Sequence, residues 1–325
     1  MGRAVRVDDP KPDAASSSAE PAGGPARRRE DRVQASRAPA VSVSTDPSAP
    51  LSYDPQLERI EIELLLEAIF RHYGFDFRSY AYASIRRRLW RRMEAEGLTT
   101  ITALQDRVLH RPALMEQLLL DLSINVTAMF RDPTFYLAFR EKVVPLLRTY
   151  PFIRVWHAGC STGEEVYSMA ILLEEAGLYD RARIYATDIN EVVVHRARTG
   201  IFPLERMQEY TENYIRAGGT RSFSEYYTAK YDGALFSPAL QRNVVFSQHN
   251  LVTDRSFAEF NVILCRNVLI YFDRTLQTRV HGLFYDSLVH LGILALGSKE
   301  TLRLSQFESC YEELSASDRI YRKVR

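Results

Sequence analysis

The nine residues His157-Ala158-Gly159-Cys160-Ser161-Thr162-Gly163-Glu164-Glu165 offer three different kinds of chemistry. Gly159 to Gly163 fit G-x-S-x-G, the turn that exposes the serine nucleophile of α/β-hydrolases. His157 and Cys160, three positions apart, could suggest a thiol beside its base. The glycines could instead open a loop against which a ligand meets the backbone, as nucleotide-binding turns do.

A nucleophile elbow normally follows several earlier strands, yet everything upstream of this turn reads as helical. No HGGG-type oxyanion segment precedes it. His195, His249, His281 and His290 lie downstream as possible bases, but none has a telling local context. Two residues three apart at a strand end do not make a dyad, and a small buried cysteine is the more ordinary reading of Cys160. His157 is read in the same way, as strand-end packing.

The ligand-loop reading gains from Asp188, which ends the next strand 25 residues past Gly163. In Rossmann-like sheets an acid there accepts hydrogen bonds from ribose hydroxyls. Asn250 and Arg266-Asn267 also fall just past strand ends, so these residues converge on one edge of a sheet. Gly-Cys-Ser-Thr-Gly is not G-x-G-x-x-G, however, and Glu164-Glu165 follow it directly. Two carboxylates at a helix start complement the helix dipole but repel a pyrophosphate. A ligand with a cation and no phosphate suits such a pocket, and S-adenosyl-L-methionine, with its adenosine, sulfonium and ammonium, is one. Ordinary first-turn capping would place the same two glutamates there.

The elements that must position these residues change along the chain. Residues 1–50 contain no Leu, Ile, Phe, Tyr, Trp or Cys and hold half of the 14 prolines, so a disordered Ala/Pro/Ser/Arg-rich tail is expected. Residues 51–148 repeat apolar positions at helical spacing, as in "LERIEIELLLEAIF" and "ALMEQLLLDLSI", and predict an all-helical domain. Residues 149–325 alternate strands such as "IRVWHAG", "RIYATDIN", "NVVFSQHN" and "FNVILCRN" with helices, which predicts an α/β sheet. "FNVILCRN" is a continuous apolar run, as expected of a strand covered on both faces. Residues 219–236, rich in Tyr, Phe, Ser and Thr, predict a small β-rich insertion.

The 325 residues carry 42 basic and 41 acidic side chains, so no global charge argues for nucleic acid. Three distant cysteines without a C-x-x-C pair argue against a disulfide framework or a zinc site, and no metal is expected. No run approaches the roughly 18 apolar residues of a membrane span, and the start of the chain lacks an apolar signal region. These features lead to the expectation of a cytoplasmic protein without membrane insertion; a monomer is expected.

"AGCSTGEE", "ATDIN", "NVTAMFRD" (125–132) and "CRNVLIYFD" (265–273) together resemble the CheR family of chemotaxis receptor methyltransferases. The resemblance runs from about residue 55 to the last residue, with the motifs in the family's order. It implies a small helical domain followed by a class I, Rossmann-like methyltransferase domain carrying a small β-subdomain. It further implies transfer of the methyl of S-adenosyl-L-methionine to glutamate side chains of a methyl-accepting chemotaxis-type receptor's cytoplasmic domain, with S-adenosyl-L-homocysteine as product. By this resemblance Asn125, Thr127, Arg131, Ala158, Glu164, Asp188, Asn250, Leu251, Arg266 and Asn267 bind the cofactor. Arg131 and Tyr271 border the reacting centre. A same-fold enzyme acting on another protein or a small molecule, and a non-enzymatic cofactor-binding regulator, are the alternatives.

"SIRRRLWRRM" (84–93) is a basic helical stretch. A helical wheel is read as placing Ile85, Leu89, Trp90 and Met93 on one face and Arg87, Arg88, Arg91 and Arg92 on the other. The resemblance makes this arginine face a contact for acidic receptor helices; a plain solvated face is the alternative. Two segments depart from the family. Gly297-Ser298-Lys299-Glu300 stands where the family often shows G-H-S-E, and the 219–236 insertion is unlike the β-subdomain associated with docking of a receptor's terminal tether.

Overall fold

The computed structural model describes residues 54–123, 127–303 and 305–325. The expected disordered tail, residues 1–50, lies outside them, as does Asn125.

Four helices come first: α1 Pro55–Tyr73, α2 Tyr82–Ala95, α3 Ile101–His110 and α4 Pro112–Leu122. Asp54 caps α1 through the Gln56 N–H, and Gly74 closes it at φ +79°. Their apolar faces, led by Leu65, Ile69, Leu89, Leu104 and Leu118, form a core of their own.

The next helical segment, α5 Pro133–Ala138, a π turn at Phe139–Val143 and α6 Val144–Leu147, behaves differently. Phe135, Phe139, Val143 and Leu147 pack with sheet residues Ile153 and Val155, not with the bundle. Residues 133–147, which periodicity groups with the helical domain of 51–148, belong by packing to the α/β layers. Periodicity shows that a helix has an apolar face; it does not show what the face meets.

The remaining strands are β1 Ile153–Ala158, β2 Ala182–Asp188, β3 Ile201–Pro203, β4 Tyr227–Lys230, β5 Gly233–Phe236, β6 Val244–Gln248, β7 Phe260–Cys265, β8 Leu288–Leu296, β9 Tyr311–Ser315 and β10 Ile320–Lys323. Between them run helices α7 Glu164–Glu175, α8 Glu191–Thr199, α9 Met207–Arg216 and α10 Arg274–Ser287. Seven strands form one sheet in the order β6-β2-β1-β7-β8-β10-β9. All neighbours are parallel except β10, which is antiparallel to β8 and β9. This is the Rossmann-like sheet expected, with β9 as a strand the sequence reading did not foresee.

Strand alternation sorts the residues into two layers. Val262 and Leu264 of β7 face the layer containing α7, while Ile263 and Cys265 face the layer containing α10. Both faces are covered, which is why β7 reads as an unbroken apolar run; burying each such side chain contributes about 1.5–3 kcal/mol.

The insertion is a three-stranded antiparallel sheet in the order β3-β5-β4. It starts at Ile201, earlier than the expected 219, because β3 is only three residues long. Phe202 and Phe236 pack edge to face on Tyr167 of α7, which fastens this sheet to the body.

The order of β1, β2 and β6 on one side and β7 and β8 on the other creates a crevice beyond the carboxyl ends of these strands. Ligands of open α/β sheets bind at such switch points.

Candidate functional site

The turn after β1 is shaped by backbone demands. Gly159 (φ +87°) and Gly163 (φ +97°) occupy the left-handed region. A Cβ on Gly159 would lie 2.5 Å from Val268, and one on Gly163 2.9 Å from Ala197. Both positions therefore require glycine. The Gly159 and Cys160 N–H groups donate to the Thr187 carbonyl, each at 2.8 Å. Asp188 completes the turn: its carboxylate accepts from the Ser161 N–H at 2.9 Å and the Asn190 N–H at 3.0 Å. Burial raises the Asp188 pKa, and these backbone bonds oppose the shift.

This turn forms one wall of a cleft at the carboxyl ends of the strands, where open α/β sheets take their ligands. Thr127, Arg131, Asp188, Asn250, Leu251, Arg266, Asn267 and Tyr271 all line it, so residues spread over 145 positions meet in one place (from 127 to 271, inclusive). Ala158 ends β1 beneath the turn, with its methyl group in the core.

The two glutamates part company. Glu164 turns away from the cleft; its carboxylate accepts from the Thr162 hydroxyl at 2.6 Å and the Tyr210 hydroxyl at 3.4 Å, and burial raises its pKa. The cleft wall carries Glu165 instead. On a helix one residue is a 100° rotation, so the carboxylate that reaches the cleft wall is the neighbour's.

Glu165 belongs to a buried charge network. One carboxylate oxygen is 2.9 Å from His157 Nδ1 and the other accepts from Arg266 Nη1 at 3.0 Å. Arg266 also donates to the Asp132 carboxylate at 2.8 Å and the Arg131 carbonyl at 3.3 Å, with its guanidinium 4.0 Å from the Phe135 ring centre. Burial works against the charge on Glu165, but His157 and Arg266 hold its pKa below the usual carboxylate range. His157 is thus the partner of a cleft carboxylate and not simple strand packing. Cys160 lines the cleft, and its thiol, pushed well up by burial, faces the Ser161 carbonyl. Neither residue forms the dyad their spacing could suggest.

Tyr271 lies between the α/β sheet and the helical bundle. Its carbonyl accepts from the Ala81 N–H at 2.8 Å, the Asp273 N–H donates to the Ser79 carbonyl at 2.9 Å, and Tyr80 bridges to Phe272. Burial raises the Tyr271 phenol pKa, while the Arg88 and Arg131 charges pull it back; the hydroxyl is protonated at neutral pH.

The four arginines of α2 do not share one open face. Arg87 and Arg91 are exposed, but Arg88 is buried and donates to the Leu122 carbonyl. Arg92 packs inward on Asp121 at 2.6 Å, and Arg91 also reaches Asp121 at 2.9 Å. The acid that pairs with Arg91 and Arg92 comes from α4, out of sight of a reading confined to α2. Tyr80, Ser123 and His249 also line the cleft and had no local signal.

With this geometry in place, comparison with known proteins is decisive. Residues 60–123 match the family described as CheR methyltransferase, all-alpha domain, and residues 125–317 match CheR methyltransferase, SAM binding domain. The chain belongs to the CheR methyltransferase family. The Cher3 protein of Pseudomonas putida KT2440 is 54% identical over 264 residues, covering 81% of this chain and 97% of that protein. "Chemotaxis protein methyltransferase 2" of Pseudomonas aeruginosa PAO1 is 31% identical over 68% of this chain and 79% of its own length. "Chemotaxis protein methyltransferase" of Listeria innocua is 28% identical over 76% and 92%. Among the described residues, no helix of this CheR chain is long and apolar enough to cross a membrane.

The cofactor of this family's domain is S-adenosyl-L-methionine, and the cleft fits it. Asp188 would hold the ribose hydroxyls, Ile189, Leu251 and Val268 would offer apolar wall to the adenine, and Glu165 would offer negative charge to the ammonium. The carboxylates of the first turn of α7 would repel a phosphate, which this cofactor lacks.

Proposed function

We propose that this chain is a protein-glutamate O-methyltransferase acting in the cytoplasm on the cytoplasmic domain of a methyl-accepting chemotaxis-type receptor. The observation that carries the reading is the state of the charged groups around the cleft. Glu165 and Asp188, the carboxylates that line it, are both engaged, Glu165 by His157 and Arg266, Asp188 by backbone N–H groups. Arg131 and Tyr271 border the same space, with Arg88 beside Tyr271. Such a rim suits an acceptor that arrives already ionised and needs no base, and a glutamate side chain, with a reference pKa near 4.3, is one.

When bound, the cofactor supplies a sulfonium methyl that passes to a carboxylate oxygen, leaving S-adenosyl-L-homocysteine. Arg131 would orient the incoming carboxylate through its fork of donors. The Tyr271 hydroxyl would donate to the same group, and closure of the rim would strip water from it. The names of the Pseudomonas aeruginosa and Listeria relatives support a chemotaxis receptor as the partner. Exposed Arg87 and Arg91 on α2 would meet its acidic helices.

Purified protein given radiolabelled S-adenosyl-L-methionine and candidate receptor cytoplasmic domains should leave base-labile label on receptor glutamates. Cofactor binding without transfer to any receptor domain would refute the reading.

A further inference from the structure

The segment Arg266–Phe272, which carries Asn267 and Tyr271 on the cleft wall, has an unusual support. Asn267 stands at φ +62°, and a short 3-10 turn, Leu269–Tyr271, follows. The first N–H groups of such a turn point outward together and need acceptors. No local side chain caps this turn; its flanking residue is Val268, which has no acceptor.

The acceptor comes from about thirty residues later. Oε1 of Glu300 accepts from the N–H groups of Val268 at 2.8 Å, Leu269 at 2.7 Å and Ile270 at 3.4 Å. Oε2 accepts from Asn267 at 3.0 Å and Gly297 at 2.6 Å. Glu300 is 4% exposed, and it lies outside the cleft wall. Burial raises the Glu300 pKa, and the backbone donors gathered on both oxygens oppose that shift by favouring the ionised form. The site also requires Gly297, whose added Cβ would sit 2.7 Å from Oε2 and 2.8 Å from the Asn267 nitrogen.

We propose that Glu300 is a positioning residue for methyl transfer: by gathering five backbone N–H groups it sets the shape of the rim that presents Asn267 and Tyr271. It touches neither cofactor nor acceptor and acts through the backbone. A glutamine would turn an N–H₂ toward two or three N–H donors. An aspartate, one methylene shorter, could not reach both ends of the segment. The turnover arm of the test rests on the glutamate-methylation reading; the exchange and binding arms do not.

The experiment compares the wild type with Glu300→Gln and Glu300→Asp, using Lys299→Ala, an exposed neighbour, as control. Amide hydrogen exchange is followed at residues 267–270, affinity for S-adenosyl-L-homocysteine by calorimetry, and kcat on receptor at saturating cofactor, all well below the melting midpoint. Glu300→Gln is expected to speed exchange at 267–270 by about tenfold or more and to lower kcat by about tenfold or more, because both follow the lost acceptor. Glu300→Asp should fall between, and Lys299→Ala should match the wild type. A folded Glu300→Gln protein with native exchange at 267–270, or with faster exchange but native kcat, overturns the proposal. If Glu300→Gln does not fold, Gly297→Ala replaces it, since it displaces the carboxylate while keeping its charge; the same outcomes decide. If the wild type itself methylates no receptor, that failure belongs to the substrate reading. Native exchange together with native affinity in Glu300→Gln would then overturn this one.

Discussion

The guanidinium of Arg88 lies 4.9 Å from the centre of the Tyr271 ring, so a residue of the N-terminal bundle reaches the cleft wall of the α/β part. Arg88 is also held by the Leu122 carbonyl, at the end of α4. Replacing it with alanine should lower kcat/KM for receptor about 10–100-fold while affinity for S-adenosyl-L-homocysteine stays within about threefold. Steady-state kinetics with calorimetry make the check; unchanged kcat/KM would show that the contact is only structural.

Glu164 and Glu165 should separate cleanly in a binding experiment. Glu165→Gln is expected to weaken cofactor binding about tenfold or more, near 1.4 kcal/mol, because the cleft loses its charge and Arg266 loses a partner. Glu164→Gln should stay within about threefold, since its carboxylate is bound to Thr162 and Tyr210 hydroxyls. The reverse order in calorimetry would contradict the assignment.

Arg266 carries a structural burden as well as a cleft position. Arg266→Ala leaves Glu165 and Asp132 without their shared cation, and removing one partner of a buried pair costs about 3–5 kcal/mol. Urea unfolding should show this loss. Arg266→Lys should not restore the stability, because one ammonium cannot span both carboxylates and the Arg131 carbonyl in the geometry of a planar fork.

How much of this was legible depended on whether the deciding information was local. Strand β7 announces itself because it is apolar on both faces, and Asp188 and Asn250 follow from their places at and just past strand ends. What was misplaced turned on partners distant in sequence. On a 100° wheel Arg88 and Arg92 lie roughly 60° and 20° from Ile85, on the inward side and not opposite it, and Leu122 and Asp121 of α4 meet them there. Residues 133–147 look like any amphipathic helix until Ile153 and Val155 supply their core. The support from Glu300 joins segments that no local pattern connects.

His281 should give the fold an acid weakness. It is buried on α10, and burial pushes its pKa from 6.5 down to about 4. Between those values the unfolded chain takes up a proton that the folded chain refuses, so this contribution to stability is intact above about 6.5 and is lost as the pH falls toward 4. The loss amounts to at most roughly 3 kcal/mol. His281→Leu should flatten the pH dependence of urea unfolding between pH 7 and 4.5; an unaltered slope would assign the effect to other groups.

The pairing of Ser79–Ala81 with Tyr271–Asp273 bears on how members of this family could be recombined. Two family signatures divide the chain at residues 123 and 125, which invites grafting one relative's bundle onto another's catalytic part to redirect specificity. The boundary visible in sequence is not the mechanical one. A graft cut there carries Ser79–Ala81 away with the bundle, and the incoming bundle has to supply an equivalent pair of backbone partners and an equivalent of Arg88. Chimeras that match at those two backbone partners and at Arg88 are the ones in which a borrowed bundle keeps its hold on Tyr271.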